Sequence, residues 1–123
     1  MRLSAEAFER LVGEALELIP EEFQPFLAEV AVVVEAEPPD ELLDALGVPE
    51  DETLFGLYSG PDLGEQGLGA PVLPPRITVY RRPHLRAARD LEQLRREVAR
   101  TVLHEAAHRF GIGEERLEEL GWD

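Results

Sequence analysis

The chain has 123 residues, no cysteine, and a formal net charge of −14, from 26 acidic residues against 12 basic ones that are all arginine. That length suits one domain, 1–123, around one hydrophobic core. Without thiols, neither a disulfide framework nor a thiolate metal site can form, so any metal must be held by imidazole and carboxylate. The charge is uneven: residues 1–75 carry 17 acids and 2 arginines, a net −15, whereas residues 76–123 carry 9 acids and 10 arginines, a net +1. An acidic surface repels phosphate backbones and anionic lipid, so neither nucleic acid nor membrane is an expected partner, while a cationic or neutral peptide would be tolerated better. The start of the chain lacks the apolar stretch of a signal peptide and no long apolar run follows, which gives a cytoplasmic expectation.

Ser4 caps a first predicted helix whose apolar positions Phe8, Leu11, Val12, Ala15, Leu18 and Ile19 recur at helical spacing until Pro20 stops it. After a link from Glu21 to Pro25, the valine-rich segment Ala28 to Ala36 reads as a strand with Val30, Val32 and Val34 on one face. Asp40 is the expected cap of a short helix through Leu42, Leu43 and Leu46 that Gly47 closes. Leu54 to Tyr58 and Arg76 to Arg81 read as two further strands. Between them, Ser59 to Pro75 holds four glycines and four prolines in seventeen residues, a length of loop that is either functional or disordered. From Asp90 a long helix runs through Leu91, Leu94, Val98 and Val102 to about Phe110, where Gly111 breaks it, and a last short helix follows from about Glu114 to Leu120.

The long helix carries His104, Glu105, Ala106, Ala107 and His108, an H-E-x-x-H pattern. Residues four apart lie one turn apart on the same face, so both imidazoles can reach one zinc ion while Glu105 approaches a water on it as general base. Zinc brings the pKa of such a water toward about 7, within reach of a carboxylate at neutral pH. By composition alone the pattern arises by chance in roughly one chain in a hundred, so its setting matters. At about 100° per residue, Glu105 falls in line with Leu91, Leu94, Val98 and Val102 on the core-facing stripe, where an unpaired charge is costly. A surface helix with histidines paired to nearby glutamates would turn Glu105 outward. An open catalytic site needs a third protein ligand. Gly111 lets the chain turn back, so Glu114, six residues past His108, is the first candidate by spacing, with Glu115 and Glu118 as alternatives. The only methionine is Met1, so the later methionine turn of the metzincins is missing.

Three stretches together resemble the small bacterial zincin-like metallopeptidases. They are Leu54-Phe55-Gly56-Leu57-Tyr58 with Gly60; Leu73-Pro74-Pro75-Arg76-Ile77-Thr78-Val79-Tyr80-Arg81-Arg82-Pro83; and His104 to Gly111 with Glu114, Leu117 and Glu119-Leu120-Gly121-Trp122. The resemblance implies an α+β zincin-like fold, a short mixed sheet packed against the long motif helix with flanking helices, and a strand edge able to align an extended peptide. It further implies peptidase activity on a peptide or protein substrate. The family position matching Glu114 is commonly aspartate, so glutamate there is a conservative departure.

Other residues are weaker candidates. His84, after Pro83, reads as an exposed loop residue without a site role. Tyr80 or Arg109 is a candidate donor to a developing oxyanion, and nothing in their spacing selects between them. A non-catalytic zinc-binding or peptide-binding module is the main rival reading, and it has no need of Glu105. The charge alone also suggests an acidic mimic of nucleic acid, although like-charged faces are ordinarily just solubilising.

Overall fold

The computed structural model describes residues 1–60 and 74–123, so the Gly- and Pro-rich segment at 61–73, most of the long predicted loop, lies outside the described residues. The first helix, α1 (Ala5–Glu17), begins where Ser4 accepts a hydrogen bond from the Ala7 amide at 3.1 Å. It buries Phe8, Leu11, Val12 and Ala15 on one face. The segment after Pro20 is not a plain link: a 3-10 turn at Glu21–Phe23 leads into a single helical turn, α2 (Gln24–Leu27), with Phe23 buried. The Gln24 side chain ties this corner down by donating to the carbonyls of Leu16 and Ile19.

Three strands follow: β1 (Ala31–Glu35), β2 (Gly56–Ser59) and β3 (Arg76–Tyr80). They form one mixed sheet in the order β1-β3-β2, with β1 parallel and β2 antiparallel to β3. β3 is the central strand and the most buried, with Ile77 and Val79 fully enclosed, while β2 lies at an edge. Between β1 and β2 sits α3 (Asp40–Ala45), in which Asp40 is the first helical residue and Pro39 holds the cap position. A carboxylate in that first turn still favours the positive end of the helix dipole. Gly47, at φ 70°, ends the element as its glycine predicts.

Beyond β3 the chain enters α4 (Arg81–Ala87), a helix absent from the sequence reading. The long helix α5 (Leu91–Phe110) starts at Asp90, whose carboxylate accepts from the Gln93 amide at 2.7 Å, and ends at Gly111 in the left-handed conformation. It packs against α1 on one side and against β2 and β3 on the other. Leu94, Val98, Ala99, Val102 and Leu103 lose all exposure there, and each fully buried leucine or valine contributes about 1.5–3 kcal/mol. Leu91, expected on the same stripe, is 44% exposed, because the helix enters the core only from its second turn. The last helix, α6 (Glu114–Glu119), inserts Leu117 beside α5 and ends at Gly121, φ 76°. The architecture is α+β: a short mixed sheet against one long helix, with smaller helices around them. No described helix is long and apolar enough to cross a membrane.

Candidate metal centre

The site grows from the last two turns of α5. Glu105 leaves the helix toward β2, whose antiparallel pairing decides what it meets. The Tyr80 amide donates to Phe55 O at 3.0 Å, and alternation along the pair then turns the Tyr58 amide away from β3, toward the outer edge. That outward N–H is donated to Glu105 Oε1 at 2.9 Å. The carboxylate is half-buried and compensated by a charge-assisted hydrogen bond, as its inward-facing position requires. Close approach of helix and strand depends on Gly56. A Cβ added there would lie 2.5 Å from Thr101 Cγ2 and 3.0 Å from Thr78 O. Between the approach to β2 and the helix lies a cleft of about 260 Å³ bordered by Gly56, Thr101, His104 and Glu105.

His104 is placed by the end of the chain. Both α5 and α6 finish with a glycine in the left-handed region and a bond back across the last turn: Ile112 N to Ala107 O at 3.1 Å, and Trp122 N to Leu117 O at 2.8 Å. The second reversal brings residues 121–123 back along α5. There Arg96 donates to Gly121 O at 2.7 Å and lies over the Trp122 ring, Arg100 donates to Asp123 O at 2.8 Å, and His104 Nε2 lies 2.6 Å from Trp122 O. These three side chains are four residues apart and form one stripe, of which His108 is the next member. Because a carbonyl can only accept, Nε2 of His104 carries a hydrogen, so in the neutral ring Nδ1 is the nitrogen with a lone pair to offer a metal.

His108 is exposed, and His104 is half-buried. Together with Glu114 they border a second, smaller cleft of about 70 Å³, floored by Ala107, Ile112 and Leu117. Glu115 and Glu118 do not border it. In kind, two imidazoles one turn apart and a carboxylate suit zinc. In position they are less advanced: among the described residues no three histidine or carboxylate side chains are drawn together closely enough to hold an ion.

The remaining candidates fall elsewhere. His84 corrects the expectation of an exposed loop residue: it lies within α4, is 2% exposed, and sits against the rings of Phe8 and Phe55. Thr101 Oγ1 lies 3.1 Å from its Nε2. Burial lowers its pKa to about 4, against the opposing effect of a hydrogen bond with the Phe55 backbone. It is a neutral wedge joining α4 to α5. Tyr80 is buried in β3 and borders neither cleft beside the motif; burial, and next Glu35, raise its pKa. Arg109 lies 3.9 Å over the Tyr58 ring and donates to Gly60 O at 3.3 Å, which puts it beside the edge strand that holds Glu105.

Sequence reasoning did not single out the Tyr58 amide or the Trp122 carbonyl, because every residue carries such groups and only tertiary structure aims them. Gly56 did carry a signal, since glycine inside a strand often marks close approach of another backbone or side chain.

An α+β domain whose long helix presents an H-E-x-x-H pattern beside an edge strand is the framework of a zincin. Residues 27–122 match the family described as zincin-like metallopeptidase, and the chain belongs to that family. The solved structure of a conserved hypothetical protein from Thermus thermophilus is similar, with 29% sequence identity and a TM-score of 0.53, over 96% of this chain and 97% of that one. No curated protein matches the chain.

Proposed function

We propose that the protein is a zinc-dependent metallopeptidase in which His104 and His108 hold Zn²⁺ with Glu114 as third ligand, and Glu105 acts as general base. The observation that carries this reading is the position of Glu105. It is held by the edge strand and borders one cleft with His104, the residue that also borders the cleft of His108 and Glu114. When bound, zinc supplies a Lewis acid that acidifies water and polarises a peptide carbonyl.

The chain's own residues do the rest. An extended substrate lies along the outer edge of β2 and pairs with edge groups other than the Tyr58 amide, which Glu105 occupies, so that its backbone is positioned beside α5. Oε1 of Glu105 is fixed by the Tyr58 amide, so Oε2 takes the proton of the attacking water and returns it to the departing amine. The Trp122 carbonyl holds the His104 ring in one tautomer. Closing the centre requires Glu114, at the exposed start of α6, to move toward the two histidines across the small cleft.

The test is cleavage of a peptide library with and without chelator, by the native chain and by Glu105→Ala. The expected result is chelator-sensitive cleavage that falls at least about a hundredfold in the variant while zinc content is retained. Unchanged cleavage in the variant removes Glu105 from the role of base. One observation favours a second reading, a non-catalytic zinc-binding or peptide-binding module: the three ligands are not gathered. Stoichiometric zinc with no cleavage by the native chain would select it.

A further inference from the structure

A further cleft among the described residues lies away from the motif helix. It measures about 540 Å³, within the range of about 300–1,000 Å³ common to small-ligand pockets, and opens between the first residues of the chain and α4. Arg2, Arg81, Arg82 and Arg86 border it, with Leu3 and Leu85 as its apolar part. Four guanidinium groups around one cavity stand out in a chain with 26 acidic residues and a net charge of −14.

Their pairing is more informative than their number. Elsewhere some arginines meet carboxylates, as Arg95 does Glu14 at 3.2 Å and Arg116 does Glu22 at 2.6 Å, while others, such as Arg96, meet backbone carbonyls instead. At the cleft, Arg86 pairs with Glu37 at 2.9 Å. Among the described residues, Arg2, Arg81 and Arg82 have no carboxylate partner at ion-pair distance. Nor do Arg81 and Arg82 serve their helix, because cations in a first turn are not favoured by its dipole. Among the described residues, three of the four arginines bordering the cleft therefore have no ion-pair partner, Arg86 being paired with Glu37. The natural complement is an anion from outside the chain.

We propose that this cleft binds a small organic anion, its carboxylate or phosphate gripped by Arg2, Arg81 and Arg82 and its apolar body laid against Leu3 and Leu85. The guanidinium fork matches either head group bidentately. Leu85 is almost fully buried and gives the apolar body a firm floor. The size of the ligand follows from the surrounding charge. A polyanion would lie across acidic surface beyond the cleft, whereas a small ion experiences mainly the arginines within a screening length of about 8–10 Å. None of these residues belongs to the proposed metal centre, so the site stands or falls independently of it.

Calorimetric titration of the full chain with phenyl phosphate, benzoate and inorganic phosphate tests this, alongside the Arg81→Gln/Arg82→Gln double variant and, separately, Arg2→Gln. At least one organic anion should bind at least about tenfold more tightly than inorganic phosphate and weaken by a similar factor in the double variant, with its melting temperature unchanged. Whichever of phenyl phosphate and benzoate binds more tightly identifies the head group. If the double variant is unstable, the Arg2→Gln chain carries the same comparison. Absence of binding by both organic anions, equal binding of inorganic phosphate, or binding unaltered in folded variants would overturn the proposal.

Discussion

The packed turns of α5 and its last turns are one unbroken helix in opposite surroundings. From Leu94 to Leu103 the inward residues Leu94, Val98, Ala99, Val102 and Leu103 join the apolar core and lose all exposure. From His104 onward Ala106, Ala107 and Phe110 still pack on the core, but His104, Glu105 and Arg109 meet polar partners: the Trp122 carbonyl, the Tyr58 amide and the Gly60 carbonyl. The difference teaches how a small domain can hold reactive groups in register. Apolar packing, which has no directional chemistry of its own, fixes the axis and rotation of the helix, and the polar side chains of the final turns inherit that orientation. His84 sharpens the contrast. It carries the same imidazole as His104, yet the packed region encloses it and burial lowers its pKa to about 4.

If the packed stretch is the frame, cutting into it should unfold the protein before it affects the site selectively. Leu103→Ala, at a fully buried position, should cost about 2–5 kcal/mol, read by urea denaturation. A loss below about 1 kcal/mol would mean that the helix is held by its ends instead. The second expectation concerns His84. Its folded pKa of about 4 lies below the ordinary 6.5, so below 6.5 the unfolded chain binds a proton that the folded chain refuses. The stability contributed by keeping it neutral is fully present above pH 6.5 and is lost as pH falls toward 4, a total of about 3 kcal/mol. Denaturation of the native chain and His84→Leu at pH 7, 5.5 and 4 isolates that slope from the titrating carboxylates; parallel curves would contradict it.

A smaller effect is expected at the boundary between the two regions. Gly56→Ala pushes a methyl group against Thr101 and the Thr78 carbonyl, and should cost about 1–3 kcal/mol. The same substitution should also separate β2 from α5 and weaken the hold of the Tyr58 amide on Glu105, visible as faster hydrogen exchange at Tyr58. Unchanged exchange in a destabilised variant would place the contact outside the site's support.

How much of this was legible in the sequence follows the same division. Periodicity and caps located α1 and α5 closely, because Ser4 and Asp90 act within one turn of the helices they begin. The strands and the glycine stops at Gly47 and Gly111 were legible for the same local reason. α4 was not: Arg-Arg-Pro-His after a strand resembles a loop, and its seven residues are too short to establish a helical period. His84 was therefore read as exposed, although its burial depends on Phe8, Phe55 and Thr101, three residues distant in sequence. In the site, the spacing of His104, Glu105 and His108 gave their common side of the helix. The backbone atoms that orient them are set by strand register and by the return of Trp122, which no local pattern encodes.

Zinc uptake measured by titration calorimetry on metal-free protein is the most direct test of the central claim that His104 and His108 share one ion. The native chain and Glu105→Gln should each take up one equivalent, whereas His104→Ala and His108→Ala should each lose binding and Glu114→Gln should weaken it. No uptake by the native chain, or equal uptake after both histidines are replaced, would contradict the account.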